Sequence, residues 1–171
     1  MNLRGKPEPV QVVKERRDAT LAALVGRVPF IRWLGIRFER HGDELTAVLP
    51  YEGRLIGNAD LPALHGGATA GFLEVAAVIE LTWTGLWAEV ESGRVTPDQL
   101  RAHSAIRMPK TVDFTIDYLR SGLPRESYAR ARVIRSGRRY ASVHVEGWQD
   151  NRSRPFVWAT GQFVMPQDRD G

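Results

Sequence analysis

The chain has no cysteine among its 171 residues. That excludes disulfides, a thiolate nucleophile and thiolate metal ligation. No apolar run reaches the roughly 18 residues that a membrane helix requires. The opening stretch, MNLRGKPEPVQVVKERRD, lacks the apolar centre of a signal peptide. Internal repeats and low-complexity tracts are absent. His41, His103 and His144 are scattered without metal-ligand spacing, so no metal is expected. Helix-turn-helix and zinc-finger patterns are missing too. These absences lead to the expectation of a cytoplasmic protein that engages neither membrane nor nucleic acid.

What is present suits one globular domain. A hydrophobic share of 43% against 26% charged is ordinary for a chain that buries a core. The net charge of +4 is modest, but basic residues gather late in the chain, at Arg120, Arg125, Arg130, Arg132, Arg135, Arg138, Arg139 and Arg152. Most read as the solvated outer face of a sheet. Such a surface can also attract a phosphorylated small molecule.

Periodicity orders the elements. Pro9 to Val25 reads as a helix with a ragged apolar face, stopped by Gly26. Ile36 to Arg40 and Glu44 to Leu49 read as strands joined by a turn at His41-Gly42-Asp43. Tyr51 to Leu64 reads as a loop. A helix follows, to about Thr82, with Phe72, Val75, Ala76, Ile79 and Trp83 on one face. Gly67, Ala70, Gly71, Glu74, Val78 and Leu81 lie on the other, so the helix should be buried nearly all round. Gly85 to Pro109 reads as an insertion or lid, with Thr96 capping a short helix that starts at Pro97. Val112, Phe114, Ile116 and Tyr118 alternate with polar residues as a strand. Three more strands follow, at Tyr128 to Arg135, Arg139 to Gln149 and Phe156 to Val164. Hairpin spacing requires an antiparallel sheet, and the apolar helix must be buried against one of its faces. The fold class is α+β.

The most informative stretch is Leu64-His65-Gly66-Gly67, where a glycine pair opens that helix. From Gly66 to Ile79 the only ionisable side chain is Glu74. A carboxylate isolated in an apolar helix is costly to bury while ionised, and catalysis is one reason to keep it. The other reading is a structural carboxylate paired with an arginine. Gly66 and Gly67 sit where free N–H groups and the positive helix end face any oxyanion placed there. A tight turn would need the same glycines for geometry alone.

His65-Gly66-Gly67 with Glu74 nine residues after the histidine resembles a hotdog-fold acyl-CoA thioesterase of the PaaI-like and 4-hydroxybenzoyl-CoA thioesterase group. The stretch Thr111 to Arg120, the run Ala129 to Arg139 and the closing Ala159-Thr160-Gly161-Gln162-Phe163 carry the same resemblance. It covers roughly residues 30 to 165. It implies a long antiparallel sheet wrapped around one central helix, over residues 30–166. Residues 1–29 would be an N-terminal helical extension, and 84–109 an insertion. It implies a homodimer with an active site at each subunit interface, often paired again into a homotetramer. The substrate would be an acyl-CoA, and coenzyme A would enter only as part of it, with no separate cofactor.

The resemblance also implies roles. Glu74 would be base or nucleophile, and the Gly66 N–H would polarise the thioester carbonyl. His65 would be a positioning residue rather than a base. Asn58, seven residues before His65 where relatives place an Asn or Gln at six, would position water or substrate, with Asp60 as competitor. Thr111 would reach the partner subunit's site, or be an ordinary strand residue. Gly67 and Phe72 would line the acyl group, and Lys110, Arg138 and Arg139 would meet the coenzyme A phosphates, arginine being well suited to phosphate. A hotdog dehydratase or hydratase, and a non-catalytic acyl-CoA-binding module, are the alternatives.

Overall fold

Helix-forming sequence opens the chain, strand-forming sequence closes it, and one long apolar helix lies between them. The computed structural model describes residues 8–102 and 106–167. Helix α1 (Val10–Gly26) and a short α2 (Pro29–Leu34) come first, followed by strands β1 (Arg37–His41) and β2 (Glu44–Leu49). A 3-10 turn at Gly53–Leu55 leads into a two-stranded ribbon, β3 (Ile56–Asn58) and β4 (Ala63–Leu64). Helix α3 (Gly66–Glu91) and α4 (Pro97–Arg101) precede β5 (Lys110–Tyr118), β6 (Ser127–Ser136), β7 (Tyr140–Trp148) and β8 (Val157–Val164).

Six strands form one antiparallel sheet in the order β1-β2-β6-β7-β8-β5. Alternation places Ala141, Val143 and Val145 of β7 and Val157, Ala159 and Phe163 of β8 on a single buried face. Helix α3 packs across that face, against β6, β7, β2 and β8. Phe72, Leu73, Ala77 and Ile79 are fully excluded from water there. Each of the three large side chains among them contributes roughly 1.5–3 kcal/mol of burial.

Two local readings are corrected. The loop reading of Tyr51 to Leu64 misses the β3–β4 ribbon. Pro29–Leu34, to which no element was assigned, is a helix. The central helix does not stop near Thr82 but runs to Glu91. Gly85 costs a helix interior only about 1 kcal/mol relative to alanine. Burial of Trp83, Leu86 and Val90 outweighs that cost. Trp83 stacks on Trp87 at 5.6 Å, and the Arg17 guanidinium of α1 lies 4.0 Å over the Trp87 ring. Beyond Glu91, Thr96 does cap a short helix, in a capping box with Gln99. His103, where the sequence ended that helix, lies outside the described residues. Helix α3 is also the one helix among the described residues long and apolar enough to cross a membrane, yet most of it is buried beneath the sheet.

Candidate active site

The chain enters α3 through a tightly held corner. A Cβ on Gly57 would stand 2.9 Å from the His65 Cα, so only glycine lets β3 pass this close. The His65 N–H donates to the Leu55 carbonyl at 2.7 Å. His65 is the N-cap residue, and its Nδ1 accepts the Gly67 N–H at 2.9 Å. The Nδ1 lone pair is thereby committed to the helix start, and the ring is held in place by that bond. It also takes the Gly67 amide away from any ligand. The Gly66 N–H, by contrast, has no acceptor among the described residues. The Gly66 carbonyl accepts from the Tyr118 hydroxyl at 2.7 Å, which pins the helix start to the end of β5.

Glu74 meets the opposite end of the same strand. Thr111 Oγ1 donates to Glu74 Oε1 at 2.6 Å, within one chain. Strict alternation along β5 would have turned Thr111 to the face opposite Phe114. The β5–β8 register skips between Thr111 and Asp113, leaving Val112 as the extra residue of a bulge. The bulge rotates Thr111 onto the helix side and swings Val112 outward, where it is 61% exposed. Thr111 thereby contacts Glu74 of its own chain.

Glu74 opens into an apolar groove of about 230 Å³ lined by Val28, Phe30, Ile31, Val75, Val78, Ile79, Met108 and Pro109. Apart from Glu74 no lining side chain is polar. Phe72 is not part of the groove: it is fully buried in the core, because its helix face turns to the sheet. The α2 residues Phe30 and Ile31 take the place given to Phe72, and no motif in the sequence signalled them.

Two further assignments change. Asn58 Oδ1 accepts the amides of Asp60 at 2.9 Å and Leu61 at 3.3 Å. It closes the turn between β3 and β4, as asparagine side chains commonly do, and no hydrogen bond joins it to His65, Gly66 or Glu74. Asp60 is exposed on that turn. Gly66 and Glu74 lie eight residues apart on one helix, which is ~12 Å of axial rise. The two groups thus sit about two helical turns apart on one copy of α3.

Lys110, Arg138 and Arg139 do come to one end of the sheet. Lys110 pairs with Val164, Val164 with Tyr140, and the β6–β7 turn holding both arginines adjoins Tyr140. None of the three forms an ion pair among the described residues. The same end carries Thr111 and Glu74. Among the described residues no group of three or more His, Asp or Glu side chains could hold a metal ion.

Glu80, the next carboxylate along α3, faces elsewhere. The β2–β6 ladder joins only Ala47–Leu49 to Ser127–Ala129, and beyond it the two strands part around a cavity of about 670 Å³. Glu80 lines that cavity with Glu44, Thr84, Arg130 and His144. Burial, reinforced by the Glu44 charge and opposed by the Thr84 hydroxyl, raises its pKa to about 7. The folded chain then holds this proton more tightly than the unfolded chain, where the ordinary value is 4.5. Stability is lost as pH rises from that value through about 7, on the order of 2 kcal/mol in all. Glu80→Gln is expected to raise the melting temperature at pH 8 by several degrees and to change it little at pH 4. Thermal unfolding across that range checks this, and an equal gain at both ends would contradict it.

The chain matches the family described as the acyl-CoA thioesterase N-terminal domain over residues 58–164. It is 33% identical over 124 residues to the medium/long-chain acyl-CoA thioesterase YigI of Escherichia coli K12, covering 71% of this chain and 76% of that one. A crystal structure from Shewanella oneidensis, described as related to the thioesterase superfamily, superposes with a TM-score of 0.69 at 25% identity, covering 94% of this chain and all of its own. The E. coli PaaI protein from the phenylacetic acid degradation operon shares the fold, with a TM-score of 0.66 at 14% identity over 89% of this chain and 94% of its own. With the six-stranded sheet, the buried central helix and a family match over more than half its length, the chain belongs to the hotdog-fold acyl-CoA thioesterases.

Proposed function

We propose that the protein hydrolyses aliphatic acyl-CoA thioesters with Glu74 as the reacting carboxylate and the Gly66 N–H as oxyanion donor. The observation that carries this reading is a single carboxylate set in an otherwise apolar groove, with one oxygen fixed by Thr111 and the other free. The free oxygen can take a proton from water as it adds to the carbonyl carbon. The tetrahedral oxyanion then collapses, the C–S bond breaks, and the proton passes to the departing thiolate. Alternatively Glu74 attacks first, the C–S bond breaks to release the thiolate, and water then cleaves the resulting anhydride, its proton passing to the thiolate. Both routes balance, and both need the oxyanion donor. The groove offers no partner for a polar ring substituent, which favours an unsubstituted alkyl chain over a hydroxylated aromatic acid.

The ~12 Å between Gly66 and Glu74 fits a homodimer. Strand β5 is an edge of the sheet, with one side of its backbone unpaired. Gly66 is tied to one end of β5 through Tyr118, and Glu74 to the other through Thr111. Antiparallel pairing of β5 with a second copy about a two-fold axis brings the Gly66 end of one chain beside the Glu74 end of the other. Each site then draws base and oxyanion donor from different copies. Pairing of dimers into a homotetramer belongs to the same reading, as does the cytoplasm, where acyl-CoA is made and used.

Release of coenzyme A is directly measurable with a thiol reagent, since a chain with no cysteine contributes no background. A panel of acyl-CoAs from four to sixteen carbons tests the reading. Tight binding without turnover would point to an acyl-CoA-binding module instead. Lys110, Arg138 and Arg139 would hold the nucleotide phosphates. Replacing all three with alanine is expected to raise KM about tenfold or more, with kcat changed little and the salt dependence of KM reduced. An unchanged KM would remove them from the binding surface.

A further inference from the structure

The groove around Glu74 has a definite end. Its α3 lining consists of Glu74, Val75, Val78 and Ile79, and no α3 residue before Glu74 takes part. One turn earlier the space over the helix is filled by Phe30. A Cβ built on Gly71 would stand 2.9 Å from Phe30 Cε1 and 3.0 Å from Phe30 Cζ, so the ring rests on the bare glycine backbone. The ring is also braced from outside. Phe30 stacks on Trp33 at 5.8 Å, and the Arg54 guanidinium lies 5.2 Å over the Trp33 ring. Arg54 is held in turn by Glu52, through Nε to Oε2 at 2.7 Å.

Three independent features thus converge on one side chain. The glycine makes the seat, the Trp33–Arg54–Glu52 stack holds the ring down, and the groove stops where the ring begins. The groove volume of about 230 Å³ falls below the ~300 Å³ at the low end of ordinary ligand pockets. Resting on the reading of the Glu74 groove as the acyl site, we propose that Phe30, seated on Gly71, is the stop that sets the longest acyl chain the enzyme accepts. Removing the ring would extend the groove by one turn of α3, ~5 Å, over Gly71. Because an added methylene in an apolar pocket changes discrimination steeply, a gain of a few carbons is readily visible.

The test compares kcat/KM over the four-to-sixteen-carbon panel for the wild type, Phe30→Leu, Phe30→Ala, Gly71→Ala and the Phe30→Ala/Gly71→Ala pair. Affinities for alkyl-CoA thioethers of the same lengths are measured in a Glu74→Gln background. The ratio of dodecanoyl to hexanoyl kcat/KM is expected to rise about tenfold or more in Phe30→Ala and by less in Phe30→Leu, with thioether affinity moving in parallel. Gly71→Ala is expected to alter the ratio when Phe30 is present and to leave it unmoved once Phe30 is alanine, since the added methyl acts only through the ring. A ratio unchanged in both Phe30 variants, or a loss equal at every length, overturns the assignment while leaving acyl-CoA hydrolysis intact. A wild type that hydrolyses no member of the panel overturns the underlying reading, and this inference with it.

Discussion

Glu74→Gln is expected to lower kcat for acyl-CoA hydrolysis by about 10²–10⁴-fold, the range typical of a positioned base. Glutamine keeps the size of the side chain and can still accept from the Thr111 hydroxyl. What disappears is the negative oxygen that accepts a proton or attacks carbon. Alkyl-CoA thioether affinity should hold, since the apolar lining of the groove is untouched. A Glu74→Gln protein with wild-type kcat would move the chemistry elsewhere. Single turnover in ¹⁸O-water bears on the two routes: label in the Glu74 carboxylate establishes an anhydride cleaved at the Glu74 carbonyl, whereas general-base catalysis puts ¹⁸O only in the product acid. Thr111→Val should have a smaller effect of the same kind, because it frees the carboxylate rather than removing it.

The second large effect is a rescue. Gly66→Pro removes one backbone N–H and adds a ring whose Cβ would stand 3.3 Å from the Tyr118 hydroxyl oxygen, a contact that a shift of a few tenths of an ångström relieves. The residue is the first of α3, where proline is favoured, and His65 at φ −62 and ψ 130 already has the conformation that precedes proline. The lost N–H has no acceptor within the described chain, so the fold should persist while kcat falls about 10²–10³-fold. Glu74→Gln and Gly66→Pro are then each nearly inactive alone. If every site pairs Glu74 of one copy with Gly66 of the other, a heterodimer of the two variants holds one intact site and one doubly damaged site. Purified through a different tag on each chain, it should recover about half the wild-type rate. If both groups served the same site from one chain, no heterodimer site would be intact and no recovery would occur. The ~12 Å between the two groups is the physical basis for expecting rescue.

Much of the candidate site was legible because its signals are local. A glycine pair at a helix start and one carboxylate in an apolar helix can be read from adjacent residues. The lone Glu74 does face an apolar groove, and the Gly66 amide is the one left free. The surroundings that the sequence hid depend on contacts distant in sequence. Asn58 lies in the right loop but spends its carbonyl oxygen on that loop's own turn. Phe72 is apolar and close to Glu74 in sequence, yet helical rotation sends it into the core. Thr111 reaches Glu74 only because a bulge shifts the face of β5, and a bulge leaves no mark in alternation. Phe30 is one aromatic among several until Gly71 is seen beneath it.

The sequence by itself determined the order of the main elements, the antiparallel sheet and the buried helix whose first fourteen residues hold a single carboxylate. Period-two and period-3.6 patterns report which face of an element must leave water, and that information is contained within each segment. The tertiary structure decided how far α3 continues past Gly85, which way Thr111 points and which side chain closes the groove. It also set Gly66 and Glu74 two turns apart along α3, tied through Tyr118 and Thr111 to opposite ends of β5. These outcomes arise from packing between segments remote in the chain, where burial energy overrides local preference and the positions of two groups in space are fixed only once the whole sheet has closed over the helix.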